Sequence, residues 1–366
     1  MFLLASITIG TFLSSYIVVV LVFHRKWNQI VTPFYTEIAI ETNEIIISVI
    51  VPFRNEANNI LNLIDSIQNQ SFSPKSYELI LVDDYSTDQS LALIGDYISS
   101  RSSNIRLVKN TASQGKKNAI SLAISIAKGE IIACTDADCI HSPHWLHTLY
   151  LHFQNQDKKL AFGPVVLSAN TDLFEQMQQI EFASLVGSGA ATWALQLPTM
   201  CNGANIAYRK LAFYEVNAFQ GNENIPSGDD EFLMHKIFEK YPSGVDFLKN
   251  RNALVETKAL KTWTQFKKQR LRWASKWEHY SVLHVQMIAL YVFLANFFLI
   301  ASFFILPFYI CVLLWLSRAV VEYSFLSSVL RFMHKQLNLK AFASLLFVYP
   351  FYVVYFALAA RFENKS

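Results

Sequence analysis

The chain has 366 residues, of which 52% are apolar and only 16% charged, a balance too poor in charge for an ordinary soluble protein. Its 31 Lys and Arg against 28 Asp and Glu leave a formal net charge of +3, too small a surplus for a general nucleic-acid binder. With 29 Phe, 16 Tyr and 7 Trp to bury, the chain is not a disordered one either.

Residues 1–23 carry no charge and are long enough to span ~30 Å of hydrocarbon at ~1.5 Å per residue. His24-Arg25-Lys26 follows at once, so the positive-inside bias predicts a membrane anchor whose following chain is cytoplasmic. The basic residues come after the apolar run, which argues for an uncleaved anchor over a signal peptide. From Arg25 to Ser281 the composition is that of a globular protein, with 25 basic and 26 acidic residues. Four cysteines, Cys134, Cys139, Cys201 and Cys311, form no CxxC pair and are predicted to be reduced core residues.

Within that block short β-branched runs alternate with helical patterns, the signature of βαβ units and a mainly parallel sheet. Strands are predicted over 45–52, 78–83, 105–108, 130–135 and 160–167, and helices over 57–69 and 114–127, with another opening at Ser142-Pro143. Ligands of such sheets bind at the carboxyl ends of the strands. Those ends read Val51-Pro52-Phe53-Arg54-Asn55-Glu56, then Val82-Asp83-Asp84, then Thr135-Asp136-Ala137-Asp138, so acidic groups converge on one edge. Clustered carboxylates repel unless a cation shares them, and Mg²⁺ or Mn²⁺ bound jointly with a substrate's phosphates is the usual arrangement. No Walker or dinucleotide fingerprint occurs.

Further on, His141, His144, His147 and His152 lack an HExxH pattern and are predicted to be helix-surface histidines, not a zinc site. Asn202-Gly203-Ala204-Asn205 reads as a Gly-containing turn. Ser227-Gly228-Asp229-Asp230-Glu231 opens a helical run over 232–240, whose N-terminus favours an ionised carboxylate. A helix is predicted over 262–280, with Trp263, Phe266, Arg270, Trp273 and Trp277 on one face and lysines over the rest, suited to lie on anionic headgroups. In the tail, 282–317 and 341–360 are uncharged. The first is too long for one span, at ~1.5 Å per residue. A hairpin broken near 301–307 would make three C-terminal spans, and it is favoured over two because it keeps Arg318, Arg331, Lys335 and Lys340 inside.

The ordered set VPFRNE, VDDYSTD, GKKNA, DAD, DD and QRLRW, from Val51 to Trp273, resembles the membrane-bound, inverting family 2 glycosyltransferases. That group includes cellulose, hyaluronan and poly-N-acetylglucosamine synthases and ceramide glucosyltransferases. The resemblance implies an α/β GT-A domain over 24–257, with a mainly parallel sheet that binds a nucleotide-diphospho-sugar. An interfacial helix over 258–281 and a membrane region of two or three spans over 282–366 would follow it. Pro52, Arg54 and Glu56 of VPFRNE, with Asp84, would contact the nucleotide, and Lys116 or Lys117 would line the donor pocket. Asp136 would lie close to the donor, Asp138 would coordinate Mg²⁺ or Mn²⁺ on the diphosphate, and Asp230 would be the general base. Gln269 and Arg272 would close over the diphosphate and Trp273 over the acceptor, and Asn202-Gly203-Ala204-Asn205, equally well explained as a turn, resembles the family's acceptor-side loop. One departure is Gly228-Asp229-Asp230 where the family has Thr-Glu-Asp, which leaves open what orients the base.

The expected activity is transfer of one sugar from a UDP-sugar to a membrane lipid or lipid-linked acceptor, at the cytoplasmic face of the plasma membrane (the inner membrane of a bacterium). A processive polysaccharide synthase is the runner-up; three or four spans are a thin supply for a polymer channel without an oligomer or partner subunit. A non-catalytic membrane subunit is a third reading, against which stand Asp138, Asp230, Gln269, Arg272 and Trp273, all retained.

Overall fold

The computed structural model describes residues 2–33, 44–101, 104–111, 113–223, 225, 227–280 and 282–363. Met1, Ser281, residues 364–366 and the side chain of Trp277, which enter the expectations above, lie outside what is described. In chain order the first half contains α1 (Phe2–Gln29), β1 (Ile47–Phe53), α2 (Ile60–Gln68), β2 (Tyr77–Asp83), α3 (Ser90–Ser100), β3 (Ile105–Lys109), α4 (Lys116–Ile126), β4 (Ile131–Cys134), β5 (Ile140–His141), α5 (Trp145–Phe153), β6 (Leu160–Phe162) and β7 (Val165–Ser168). There follow α6 (Leu173–Ala194), β8 (Ile206–Arg209), α7 (Lys210–Glu215), α8 (Glu231–Lys240), β9 (Val245–Phe247), β10 (Val255–Lys258), α9 (Trp263–Ala274), α10 (Leu283–Ile305), α11 (Phe308–Phe332) and α12 (Leu339–Glu363).

The chain divides into two units, one made of Val31–Val166 and Met200–Lys258, the other of Met1–Ile30, Leu167–Thr199 and Ala259–Ser366. The first holds a seven-stranded sheet in the order β3-β2-β1-β4-β8-β6-β9. Strand β1 pairs parallel with β2 and β4, and β2 with β3; β8 runs antiparallel to both β4 and β6, and β9 is parallel to β6. A sheet covered on both faces explains why β1 and β2 are continuous apolar runs: Val49, Ile50, Val51, Leu79, Ile80 and Leu81 are fully buried. Helix α2 buries Ile60, Leu63, Ile64 and Ile67, one stripe at helical spacing. Because β1 is followed outward by β2 and β3 on one side and by β4 on the other, the strand order reverses between β1 and β4. A crevice for a ligand opens at such a reversal.

The predicted strand over 160–167 is in fact two. Gly163 sits so close to Asn205 that an added Cβ would stand 2.4 Å from its Nδ2, and Pro164 has no N–H to continue a ladder, so β6 ends and β7 begins beyond them.

In the second unit four helices are long and apolar enough to cross a membrane, Leu4–Gln29, Leu283–Ile305, Phe308–Phe332 and Leu339–Ala360. Helices α10 and α11 meet at Leu306-Pro307. Ile9 and Leu13 of α1 pack with Leu299, Leu306, Cys311 and Trp315. Ser6 Oγ donates to Ile305 O (3.4 Å) at one end of α1, and Trp27 meets Phe332 edge-on at 5.5 Å at the other. Arg25 and Lys26 therefore stand at the same level as the C-terminal end of α11. Arg318, expected beyond the hairpin on the inner side, lies instead within α11 and is buried, because its charge is matched there: Arg318 Nε donates to Glu322 Oε1 (2.8 Å), Tyr16 Oη donates to the same oxygen (2.7 Å), and Arg318 Nη1 donates to Leu346 O (3.1 Å), linking α1, α11 and α12.

Helix α6, which no sequence pattern announced, packs against α1, α11 and α12. Its Gly187 is there to let α11 approach, since a Cβ would stand 2.8 Å from both Phe325 Cζ and Val329 Cγ2. Helix α9 starts at the Thr262 cap, whose Oγ1 accepts from Gln265 N–H, and gives way after Ala274 to a 3₁₀ turn at Ser275–His279, so the helix predicted to reach residue 280 is shorter. What fixes α9 is Arg270, 3% exposed, which pairs with buried Glu181 of α6 and lies over the rings of Trp273 (4.2 Å) and Phe266 (4.5 Å). Tyr352 Oη of α12 donates to the other Glu181 oxygen at 3.1 Å. Burial opposes the Arg270 charge and the Glu181 carboxylate more than restores it, so its pKa is raised. Removing one partner of a buried pair strands the other: Arg270→Met should cost about 3–5 kcal/mol. Thermal unfolding in detergent checks this, and the double variant Glu181→Leu/Arg270→Met should recover most of the loss.

Candidate active site

The carboxyl ends of β1, β2 and β4 deliver the predicted acidic groups, and loop hydrogen bonds fix them. Asn55, in the left-handed region at φ 57°, takes Thr87 N–H on its Oδ1 (2.8 Å) while its own N–H donates to Ser86 Oγ (3.0 Å). Glu56 N–H donates to Ser90 Oγ at 2.9 Å, which ties the loop after β1 to the one after β2. Pro52 lies within β1, Arg54 is exposed beyond it, and Glu56 accepts from Asn59 Nδ2 at 2.8 Å. Burial pushes the Glu56 carboxyl up, and the charges of Asp138 and Asp136 add to the shift, which places these three acids on one edge.

Asp84 is turned inward. It is 9% exposed, and its carboxylate accepts from Asn110 Nδ2 (2.8 Å) and from the Gly115 N–H (3.0 and 3.1 Å). Gly115, at φ 146°, is the residue before α4, so Asp84 holds the start of the helix that carries Lys116. The two lysines then part. Lys116 Nζ reaches Asp136 Oδ1 (2.8 Å) and Asp229 Oδ2 (3.2 Å), whereas Lys117, 6% exposed, donates to the carbonyls of Asn222 and Ile225 and anchors that loop. The opposite shifts of their pKa values follow. Burial lowers Lys117; at Lys116 the Asp136 and Asp229 carboxylates outweigh burial and hold the ammonium well above the lysine range.

Asp230 caps α8. Its Oδ1 accepts from Glu231 N–H at 2.8 Å and its Oδ2 from Gly203 N–H at 2.7 Å, so a backbone amide orients this carboxylate where the family pattern uses a glutamate. Asn202 Oδ1, accepting from Ala204 N–H (3.0 Å), and Thr135 Oγ1, donating to Ala204 O (2.8 Å), hold the loop around Gly203 in place. The Asn202 to Asn205 segment, which the sequence left open between a turn and an acceptor-side loop, enters the acidic cluster, where Gly203 supplies the amide that meets Asp230.

Asp138 Oδ2 accepts from Thr257 Oγ1 of β10 at 3.0 Å. Burial raises its pKa and the Asp136 charge raises it further; among the described residues no ammonium or guanidinium pairs with it. Among the described residues no three His, Cys, Asp or Glu side chains are arranged to hold a cation by themselves. Asp138 fits a cation shared with an anionic substrate. The histidines do not converge and are not all at the helix surface: His141 bonds Thr135 Oγ1 (2.9 Å) and burial pushes it down to about 3, while burial brings His152, beside Asp246, down to about 4. Gln269, Arg272 and Trp273 belong to α9 of the other unit, where Gln269 bonds Arg270, Arg272 is exposed and Trp273 lies under the Arg270 guanidinium.

Residues 48–216 match the family model described as Glycosyl transferase family 2. This stretch is a family 2 glycosyltransferase domain. The chain is 26% identical over 202 residues to glycosyltransferase GlyG of Streptococcus pneumoniae, covering 53% of this chain and 65% of that one. It is 29% identical over 118 residues to dodecaprenyl-phosphate galacturonate synthase of Rhizobium johnstonii, covering 32% and 35%. The matches span less than two thirds of these relatives. Among solved structures, mannosyltransferase PcManGT from Pyrobaculum calidifontis, in complex with GDP-Man and Mn²⁺, shares the fold with a TM-score of 0.60 at 18% identity over 93% of this chain and 98% of that one. With the parallel sheet and its reversal at β1 and β4, the family 2 domain has a GT-A fold.

A Cβ on Gly203 would lie 3.2 Å from Lys116 Nζ and 3.4 Å from Asp230 Oδ2. Gly203→Val should therefore push both groups aside and lower sugar transfer by about 10–100-fold, the usual cost of ~1 Å misplacement. Steady-state transfer measured beside the melting temperature checks it; the latter should change little.

Proposed function

We propose that the protein transfers a single sugar, with inversion, from a UDP-sugar to a lipid or lipid-linked acceptor, with its family 2 domain on the cytoplasmic side of the membrane. The observation that carries this reading is the acidic edge at the β1 and β4 reversal, where Asp136 and Asp229 share the Lys116 ammonium, Asp230 lies beside it, and Asp138 stands next to Asp136 with no cation of its own among the described residues. A relative named for a dodecaprenyl-phosphate product and four membrane-length helices support a lipid acceptor. Arg25, Lys26, Arg331 and Lys335 at one end of the bundle support the orientation.

In this reading Asp138 would hold Mg²⁺ or Mn²⁺, which when bound would supply positive charge to stabilise the departing nucleoside diphosphate. Lys116 neutralises Asp136 and Asp229, so donor phosphates can approach an edge that would otherwise repel them. Asp230, oriented by the Gly203 and Glu231 amides, takes the proton of the acceptor hydroxyl as that oxygen attacks the anomeric carbon opposite the leaving group. Gln269 and Arg272 contact the diphosphate and Trp273 the acceptor, in the roles the QRLRW pattern implies.

Two substitutions separate these roles. Asp230→Asn should leave UDP affinity nearly intact and lower transfer by ~10²–10⁴-fold. Asp138→Asn should weaken donor binding itself and, like excess chelator, suppress UDP release. Calorimetry with UDP and a donor screen for UDP release in the presence of source-membrane lipids give both readouts. Full activity in chelator would remove the metal from the reading, and equal losses of binding and transfer in Asp230→Asn would remove the general base.

A further inference from the structure

A cavity of about 720 Å³ opens in the second unit between α6 and the turn joining α11 to α12, and none of the residues assigned above to donor, acceptor or cation lines it. Its polar lining is Gln176 and Gln179 of α6 with His334, Lys335, Gln336, Asn338 and Lys340, and no acidic side chain is among the described residues that line it. The lining is set in place. Helix α11 closes with His334 in the left-handed region at φ 57°, α12 opens on Asn338, whose Oδ1 accepts from Ala341 N–H (3.0 Å), and the two glutamine amides are held by Asn170 O (3.0 Å) and Leu167 O (2.6 Å).

The turn between two membrane-length helices must lie at the headgroup level of whichever leaflet they reach. Its level is also that of Arg25 and Lys26, through the contact of Trp27 with Phe332. A volume within the range of small-molecule sites, basic groups at headgroup depth and fixed amide donors are what a phosphodiester headgroup requires. We infer that this cavity is a binding site for the phosphate of an anionic membrane phospholipid, held by Lys335 and Lys340 with the amides of Gln176 and Gln179. It is a site apart from the transfer reaction, so its success or failure leaves the proposed activity untouched.

The test offers the purified full chain phosphatidylglycerol and phosphatidylcholine in equal amounts in mild detergent and reads bound lipid by native mass spectrometry. The wild type should retain phosphatidylglycerol in preference. Lys335→Gln/Lys340→Gln should lower that affinity roughly 30-fold, a factor of about five per cation near an anionic lipid surface. Arg25→Gln/Lys26→Gln removes the same charge at the same end of the bundle and should cost far less. Should the double variant fold poorly by size exclusion, Lys340→Gln alone, at an exposed position, should still show about a fivefold loss. Equal retention of the two lipids by the wild type, or equal losses in both double variants, would overturn the site. Millimolar inorganic phosphate that displaced the lipid and raised the melting temperature as much as the lipid does would make it a site for free phosphate instead.

Discussion

Everything at the acidic edge depends on one ammonium. Asp136 and Asp229 lie far apart in the sequence, after β4 and before α8, and their carboxylates share Lys116 Nζ at 2.8 and 3.2 Å. Without that cation two like charges would face each other at low dielectric, and the loops that bring them together would gain nothing by meeting. Lys116 in turn owes its position to Asp84, which spends its carboxylate on the Gly115 amide at the start of α4. Two motifs that read as separate features, VDD and GKK, are consecutive parts of one support.

The same edge shows how far a sequence can be read. The parallel core was legible because strands buried on both faces read as long apolar runs, as 49–53 of β1 and 79–82 of β2 do, and because their polar ends stand out by contrast. The DAD carboxylates stood out for the same reason, and the DD pair as the opening of a helical run. The choice between Lys116 and Lys117 was not, since adjacent helix positions differ by ~100° in direction and only the fold decides which side carries the acids. Gly203 left a signal that a turn and an acceptor-side loop explain equally well, because its part is played by a backbone N–H that every residue but proline has. The break at Gly163-Pro164 was written in the sequence as two strand-disfavouring residues inside a β-branched run. Helix α6 escaped detection because it is covered on several sides, so its pattern has no polar face to betray the period.

In the membrane unit the QRLRW segment contains both kinds of residue. Gln269, Arg272 and Trp273 are the ones the family pattern marks, yet the one that shapes α9 is Arg270 between them, sunk against Glu181 and clamped between aromatic rings. Arginine suits that place because its planar, weakly hydrated guanidinium can stack and ion-pair together, which lysine's ammonium cannot do as well. A motif with a reputation for chemistry can thus owe part of its spelling to architecture.

The Arg318 and Glu322 pair bears on how the protein is made. Both charges sit on α11, four residues apart and 2.8 Å from one another, so the segment leaves the ribosome with its own counter-ion. Admitting a single central arginine to lipid costs ~2.5–3.5 kcal/mol on insertion scales, and a helix that had to borrow its carboxylate from a later segment would wait, exposed, for that segment to be translated. Here the balance is complete as soon as α11 has turned once past Arg318, and Tyr16, synthesised 306 residues before Glu322, is already in the membrane to receive it. Helix α11 can therefore leave the insertion machinery without waiting for α12, whose Leu346 carbonyl arrives to find the charge already settled.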